Sequence, residues 1–378
     1  MSAKPIAELL ENFKDIAAHP ELQFEKYLSE KKKIILTAPV YTPGEIVHAM
    51  GLVPFGAWGA NVQLDKAKRY FPTFICSIAQ SIVELGMNGV YKGATALIVP
   101  YLCDSLKVLG ENWKCALPEI AFIPMPYPQN RQIPAALDFA RAGYSRVIDD
   151  LEELTGAAYS DERLAKSIQA YNAHNALMRQ FSIRAAHLPA IGPEERSAVF
   201  KSAFFLTVEE HTALIEELFS ALDAQEPKDH PSKEIRIVTS GILADHPGLL
   251  AILKENNMKV VADDVAAESR QYLTDAPQAD TALDALAQKF SLMGNCSVLY
   301  DKDKQRVEKI VNLAKANKAD AVLVVLTKFC DPEEFDIPFI TQACEEADIP
   351  SLVVEIDRQQ NDLGQIQTAV LALGEMLG

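Results

Sequence analysis

Residues 321–334 read AVLVVLTKFCDPEE, and this stretch decides the fold. Its first six residues form a short, continuous, valine-rich apolar run, which predicts a buried strand. Asp331 as N-cap, Pro332 at the first helical position and Glu334 in the place of a capping-box carboxylate predict that a helix begins immediately afterwards. Cys330 therefore lies between the carboxyl end of a strand and a helix N-terminus, where open α/β sheets bind ligands. The helix dipole at that position is expected to lower the pKa of a thiol.

The same alternation of strands and helices occurs in two regions of the chain. Apolar runs predict strands at 34–39, 94–100 and 121–124, and again at 235–240, 259–262, 321–326 and 351–356, and residues 52–55 are apolar and extended. Stretches with helical spacing separate most of these runs, which predicts parallel sheets with helices on both faces. The predicted fold class is α/β, with two doubly wound, Rossmann- or flavodoxin-like parallel-sheet domains.

A helical segment separates the two regions. Residues 160–223 have mostly helical periodicity and no convincing strand. The polar run 223–233, which contains Pro227 and Pro231, is the best candidate for a linker. The predicted domain organisation is an N-terminal α/β domain at 1–159, a helical connector at 160–230 and a C-terminal α/β domain at 231–378.

The composition restricts the function classes. The chain has 378 residues, 49% of them apolar, and a net charge of −16, which is typical of a soluble globular protein with a full core. Such an acidic chain is not expected to bind nucleic acid or an anionic membrane. The amino terminus does not resemble a signal peptide, and no apolar run is long enough to span a bilayer. We therefore expect a cytoplasmic protein.

Three of the six cysteines stand out by position. Cys103, like Cys330, follows a predicted strand and precedes a helix with an Asp at its start, and Cys76 immediately precedes another helix. If the two sheets point their carboxyl edges at one cleft, these three thiolates converge there. Three thiolates are one short of the usual four for a [4Fe–4S] cluster, so one iron stays open to a non-protein ligand and can act as a Lewis acid.

The alternative is that these cysteines are small buried hydrophobic residues, and for Cys115, Cys296 and Cys344 this is the preferred interpretation. No Cys-x-x-Cys pair occurs, and a disulfide framework is not expected in a reducing cytoplasm. Phosphate-binding P-loop, dinucleotide-binding, nucleophile-elbow and zinc-protease motifs do not occur either.

Two acidic positions have competing interpretations. Glu45 closes the capping box Thr42-Pro43-Gly44-Glu45, which explains it without chemistry, and a role as catalytic base is the second interpretation. The pair Asp263-Asp264 and the nearby Arg270 follow a predicted strand, so they face the cleft or form a surface ion pair.

Several motifs together resemble one family. In chain order these are YTPGEIVHAMG at 41–51, GAWG at 56–59, FICS at 74–77, LCD at 102–104, PQN at 128–130, ADD at 262–264 with ESR at 268–270, and KFCDPEE at 328–334. Their order and spacing resemble the β subunit of the (R)-2-hydroxyacyl-CoA dehydratases, a family that includes subunits of benzoyl-CoA reductase. The resemblance extends over nearly the whole chain and is nearest to the lactoyl-CoA or 2-hydroxyisocaproyl-CoA type.

The resemblance implies a cofactor and partners. In the family, three cysteines hold a [4Fe–4S] cluster, and they correspond to Cys76, Cys103 and Cys330 here. The β subunit forms a heterodimer with a homologous α subunit, and a separate ATP-dependent iron–sulfur activator protein injects one electron. Some members also carry a flavin such as FMN or riboflavin, although no sequence element here places one.

The resemblance also implies a reaction. The electron reduces the thioester carbonyl of a 2-hydroxyacyl-CoA to a ketyl radical anion, which expels the 2-hydroxyl. Loss of a β-proton and return of the electron give the 2-enoyl-CoA. The acyl-CoA substrate is placed mainly at the α subunit, so this chain relays the electron and Glu45 need not be catalytic.

The predicted function is therefore that of the β subunit of an oxygen-sensitive (R)-2-hydroxyacyl-CoA dehydratase, a hydro-lyase. Two alternatives stay open within the resemblance, a benzoyl-CoA-reductase-type subunit and a homodimeric double-cubane-type reductase. A third is a non-catalytic iron–sulfur electron-transfer protein.

Overall fold

The computed structural model describes residues 4–223 and 234–378, which form two compact units. The unit that we call the first-sheet unit consists of Glu21–Asn175 and Leu273–Asp303. The second-sheet unit consists of Met1–Pro20, Ala176–Tyr272 and Lys304–Gly378. The predicted linker at 223–233 lies outside the described residues except for Asp223.

The first-sheet unit contains a parallel sheet of four strands, β1 Ile34–Thr37, β2 Val53–Gly56, β3 Ala96–Tyr101 and β4 Ala121–Pro126. Their spatial order is β2-β1-β3-β4, with Ile35 beside both Pro54 and Ala96. The chain thus reverses its direction of progress across the sheet between β1 and β3. In this type of sheet, ligands bind at the carboxyl ends of the two strands that flank the reversal.

The second-sheet unit repeats this topology. Its parallel strands are β5 Ile235–Gly241, β6 Met258–Val265, β7 Ala321–Thr327 and β8 Ser351–Ile356, in the order β6-β5-β7-β8. The third strand of each sheet, β3 or β7, therefore occupies the same topological position. All seven predicted strands are present, the extended run at 52–55 forms β2, and the predicted fold class, with two doubly wound parallel sheets, is confirmed.

Helices flank both sheets. Among the described residues these are α1 Ile6–Ala18, α2 Pro20–Ser29, α3 Gly44–Ala49, α4 Ser77–Met87, α5 Asp104–Ala116, α6 Pro134–Thr155, α7 Asp161–Ala185, α8 Pro193–Ser202, α9 Val208–Asp223, α10 Pro247–Glu255, α11 Ala282–Leu292, α12 Gln305–Ala316, α13 Asp331–Glu334, α14 Ile337–Glu346 and α15 Gly364–Leu377. Short 3₁₀ turns lie at Ala67–Arg69 and Ser269–Tyr272. In the described part of the chain, none of these helices combines the length and the apolar character needed to cross a membrane.

The packing of helices explains why the two compact units are discontinuous, whereas the sequence predicts the continuous domains 1–159, 160–230 and 231–378. In the second-sheet unit, α1 packs on α8 and α9, around a buried cluster that includes Phe13, Phe181, Phe200 and Leu218. In the first-sheet unit, α11 packs on α6. The first helix and residues 273–303 thus join units far from them in sequence, and α8 and α9 belong to a core instead of forming a separate connector.

Two element boundaries also differ from the sequence prediction. β6 continues through Asp263 and Asp264 to Val265, although the apolar run predicts an end at Ala262. The single helix expected at 333–347 is divided into α13, one turn long, and α14.

Candidate functional site

Cys103 follows β3 and occupies the N-cap position of α5, where it is partly buried. Asp104, the predicted N-cap, is instead the first helical residue and pairs with Lys107 at 3.1 Å on the surface. Burial and then the neighbouring Cys76 raise the pKa of the Cys103 thiol to about 12, although the backbone N–H groups of Leu106 and Ser105 act in the opposite direction. At Cys103, burial and a second sulfur therefore outweigh the helix N-terminus.

Cys76 occupies the N-cap position of α4 in the same unit and is also partly buried. The Gln80 side chain donates to the carbonyl oxygen of Ile75 at 2.6 Å and so fixes the turn that leads into Cys76. Gly59, with φ +74°, lies so close to α4 that a Cβ there would come within 2.1 Å of Ser81 Oγ. A glycine is required at this point, and its close approach helps to hold the helix that presents Cys76.

Cys76 and Cys103 are thus neighbouring sulfurs, and a negative charge on Cys76 disfavours one on Cys103 unless a positive charge lies beside them. A bound metal supplies that charge and deprotonates coordinating thiols, and thiolates favour iron–sulfur clusters, zinc and copper(I). The donor set therefore fits a soft metal centre. Within the described part of each unit, no three His, Cys, Asp or Glu side chains are grouped to hold a metal ion, and the three-cysteine site that the resemblance implies stays a prediction.

Cys330 follows β7 and occupies the N-cap position of α13, so the position predicted for it is confirmed. The predicted capping box is absent, because no side chain caps this helix. Phe329, immediately before Cys330, has φ +62°. This left-handed conformation is strained for a bulky residue, and the surrounding structure must hold it.

The acidic pair Asp263-Asp264 and Arg270 belong to a buried ion-pair network of the second-sheet unit. Arg270 Nη2 lies 2.8 Å from Asp264 Oδ2, and both side chains are 0% exposed. Arg196 pairs with Asp263, which is equally buried. The interpretation as a surface ion pair is therefore wrong, because these ion pairs are buried, and the interpretation as cleft-facing residues stays a prediction. The signal that could have found the network is a pair of acidic residues at the end of an apolar strand, since burial then demands cationic partners.

Arg306, in α12, is a central member of this network that the sequence analysis missed. Its guanidinium lies 2.7 Å from Asp264 Oδ2, 2.8 Å from Glu333 Oε2 and 3.0 Å from Asp336 Oδ2. No sequence motif marks Arg306, because its partners come from distant elements.

Glu45 does not form the predicted capping box. Pro43 is the N-cap of α3, and the Thr42 hydroxyl donates to the carbonyl oxygen of Ala38 at 2.6 Å. The Glu45 carboxylate instead accepts from Lys289 Nζ at 2.7 Å, with both side chains largely buried. This ion pair accounts for Glu45 structurally, and its catalytic role stays a prediction.

The remaining cysteines have other environments. Cys296 and Cys344 are buried, as predicted, and burial raises the pKa of Cys344. Cys115 is exposed near the end of α5, so the buried interpretation is wrong for it. None of the six cysteines, all of which lie in the described residues, forms a disulfide.

The chain matches known proteins over nearly its whole length. Residues 39–377 match the family described as "2-hydroxyglutaryl-CoA dehydratase, D-component". The chain is 43% identical to the (R)-phenyllactyl-CoA dehydratase beta subunit of Clostridium sporogenes, over 97% of this chain and 98% of that protein. It is 37% identical to the lactoyl-CoA dehydratase subunit beta of Anaerotignum propionicum, over 98% and 99% of the two chains.

A third relative is the (R)-2-hydroxyglutaryl-CoA dehydratase subunit beta of Acidaminococcus fermentans, which is 35% identical over 98% of this chain and all of that protein. All three relatives are dehydratase subunits that are designated beta and match end to end. The family predicted from the sequence motifs is thereby confirmed: this chain belongs to the β subunits of the 2-hydroxyacyl-CoA dehydratase family.

Proposed function

We propose that this chain is the β subunit of an oxygen-sensitive (R)-2-hydroxyacyl-CoA dehydratase and that Cys76, Cys103 and Cys330 hold a [4Fe–4S] cluster. The observation that carries the proposal is the pair Cys76 and Cys103, two partly buried, neighbouring sulfurs that occupy the N-cap positions of two helices of one unit. Cys330 has the matching position after the third strand of its own sheet. All three positions coincide with family motifs.

The cysteine environments supply what such a group requires from the protein. When bound, a [4Fe–4S] cluster supplies one-electron chemistry at a potential set by burial and by hydrogen bonds to its sulfurs. Each cysteine precedes a helix, and at Cys103 the backbone N–H groups of Ser105 and Leu106 lie near the sulfur and stabilise negative charge there. Partial burial keeps most water away from the three sulfurs, which favours electron relay over exposure to oxygen.

The proposed reaction is the elimination of water from a 2-hydroxyacyl-CoA to give a 2-enoyl-CoA by way of a ketyl radical of the substrate. An α subunit homologous to this chain is the proposed heterodimer partner, and an ATP-dependent iron–sulfur activator protein is the proposed electron donor. We place the complex in the reducing cytoplasm. No residues are assigned to FMN or riboflavin, and a flavin stays a prediction.

Iron analysis of serine variants tests the proposal. Protein purified without oxygen is expected to contain about four irons per chain. Cys76→Ser, Cys103→Ser and Cys330→Ser are each expected to lose this iron. Cys115→Ser is the matched control, because Cys115 lies on the helix that follows Cys103 but is exposed. Absorption spectra of the acid-released chromophore report in the same samples whether a flavin is present.

Unchanged iron content in the Cys76, Cys103 and Cys330 variants would overturn the ligand assignment. Equal loss of iron in the Cys115 variant would also contradict it, since the effect would then follow from any lost thiol.

A further inference from the structure

Glu333 is a fully buried carboxylate three residues after Cys330. Arg306 Nη2 donates to Glu333 Oε2 at 2.8 Å, and Arg270 Nη1 lies 3.7 Å from Glu333 Oε1. Neither arginine side chain is more than 3% exposed. A carboxylate of the first helical turn thus points into the second-sheet unit and lies between two buried cations.

The two arginines connect Glu333 to the carboxyl edge of the sheet. Arg306 Nε donates to Asp264 Oδ2 at 2.7 Å and Arg270 Nη2 to the same oxygen at 2.8 Å, so both are held by β6. Arg270 also donates to the carbonyl oxygen of Gly241, at the end of β5, at 3.3 Å. The network therefore fixes Glu333 relative to two strands of the sheet.

The charges within the network are compensated. Burial alone would raise the pKa of Asp264, but Arg270, Arg306 and Lys309 hold it well below its usual range. Asp336 accepts from Arg306 Nη1 at 3.0 Å and pairs with Lys304. Each of the three buried carboxylates thus has at least two cationic neighbours, which offsets the cost of taking it out of water.

Stability alone does not explain such a network. Well-packed apolar residues are often as stabilising as a buried ion pair of the same volume, whereas charge pairs impose a defined geometry. The turn that needs a defined geometry here is the one at Cys330. Its carbonyl oxygen accepts from the N–H groups of Glu333 and Glu334, both at 3.0 Å, and the strained Phe329 precedes it.

Helix α13 cannot fix this turn by itself. It has four residues and no side-chain cap, and one isolated helical turn is unstable in water. The side chain of Glu333 is the link between this turn and the rigid sheet.

We propose that Glu333, held by Arg306, is a positioning residue that keeps the Cys330 turn in the one conformation in which its sulfur binds the cluster. The inference rests on the proposed function, since it takes Cys330 to be a cluster ligand. Glu333 acts through the backbone of residues 330–334 and contacts no reacting atom. Outer residues that orient metal ligands typically change metal affinity by about 10- to 100-fold.

The test is Glu333→Gln in the full-length chain, loaded with iron and sulfide without oxygen. Glutamine keeps the shape but removes the charge that Arg306 and Arg270 hold. We expect iron to be lost to a ferrous chelator about 10- to 100-fold faster than from the parent protein. The electron paramagnetic resonance spectrum of the reduced cluster is expected to change as well.

Asp245→Asn is the matched control. Asp245 accepts from Arg358 at 2.8 Å in the same unit, with side chains 10% and 5% exposed, and it makes no contact with α13 among the described interactions. The Asp245→Asn variant breaks an ion pair of the same chemistry, but away from the Cys330 turn. We therefore expect its iron release to match that of the parent protein and its electron paramagnetic resonance spectrum to be unchanged. Equal effects of the two variants would overturn the positioning role.

Arg306→Lys covers the case in which Glu333→Gln fails to fold. Lysine keeps the charge but loses the planar fork that serves three carboxylates, so faster iron loss is again expected. Parent-like iron release in the folded Glu333→Gln protein, or in Arg306→Lys if that alone folds, would sink the inference. Cys330→Ser keeps the two hypotheses apart: if it retains full iron, the proposed ligand assignment fails, whatever the Glu333 variant does.

Discussion

Glu45 and Lys289 form an ion pair with side chains only 8% and 12% exposed. They are 244 positions apart in sequence, yet both lie in the first-sheet unit. Two buried tyrosines lie nearby: burial raises the pKa of Tyr127 well above its usual range and that of Tyr144 as well, and Glu45 adds to both shifts. A negative charge in these surroundings needs its cation, so Lys289 is a structural partner of Glu45.

Breaking this pair on one side is expected to destabilise the first-sheet unit. Glu45→Gln leaves Lys289 without its counter-charge, and we expect the free energy of unfolding to fall by about 3 kcal/mol. The double variant Glu45→Gln with Lys289→Met should recover most of this loss. Trp58 and Trp113, the only tryptophans, both lie in this unit, so fluorescence during urea unfolding measures its stability.

Glu111→Gln is the control, because Glu111 forms an exposed pair with Lys114 at 3.0 Å. Its effect should stay within about 1 kcal/mol. If the Glu45 variant were no less stable than this control, the pair would be dispensable for folding and a role for Glu45 in chemistry would gain weight.

Among the elements, the helices α1, α8 and α9 carry a titratable group in their core. His211, on α9, is 0% exposed, with its ring edge-on to Phe13 of α1 at 5.7 Å and its Nε2 3.0 Å from the carbonyl oxygen of Val199. It is a satisfied polar residue of the core. Burial lowers the pKa of His211 to about 4.

This pKa predicts a pH dependence of the second-sheet unit. The unfolded chain takes up a proton on His211 near pH 6.5, whereas the folded protein does so only near pH 4. Since the unfolded state binds more protons in this window, stability falls as the pH drops from 6.5 to 4, by about 3 kcal/mol. His211→Gln should remove this part of the slope, measured as helix signal in circular dichroism during urea unfolding at several pH values.

Other groups of the same unit titrate in this range and serve as an internal reference. Burial raises the pKa of Glu268, which makes stability fall as the pH rises above the usual pKa of a glutamate, opposite to the effect of His211. The parent protein and the His211→Gln variant both contain Glu268, so its contribution cancels when their pH slopes are subtracted. Equal slopes for the parent and the His211 variant would contradict the assignment.

The elements themselves were predictable where the signal is local. Apolar runs and helical spacing predict seven of the eight strands in the described residues, and the strand-end positions of Cys103 and Cys330 follow from them. The end of β6 was missed because acidic residues are depleted in strands, and the partner that permits Asp264 there, Arg306, is 42 positions away. The capping boxes predicted at Glu45 and Glu334 are absent for a related reason. A few neighbouring residues do not reveal that Glu45 pairs with the distant Lys289 or that the helix ends after Glu334.

At the scale of the whole molecule, the two sheets share one strand order but carry different cysteines. Cys103 and Cys330 follow the third strand of their respective sheets. Cys76 caps the helix that leads into β3, whereas the helix that leads into β7 begins after Lys304. The repeat is therefore unequal, and the positions of the cysteines could be predicted from the sequence, while the discontinuous units could not.

We predict that this chain by itself, without partner proteins, dehydrates no substrate. Its relatives are designated beta subunits, so we expect the complete reaction to require a partner subunit. The proposed function adds an ATP-dependent activator to this requirement. The assay supplies (R)-phenyllactyl-, (R)-lactoyl- and (R)-2-hydroxyglutaryl-CoA without oxygen and detects the 2-enoyl-CoA, while native mass spectrometry counts the chains. Cys330→Ser is expected to form the complex but give no product. Dehydration by this chain alone as a homodimer would favour the homodimeric reductase, and electron transfer to the partner without product from any substrate would favour an electron-transfer protein.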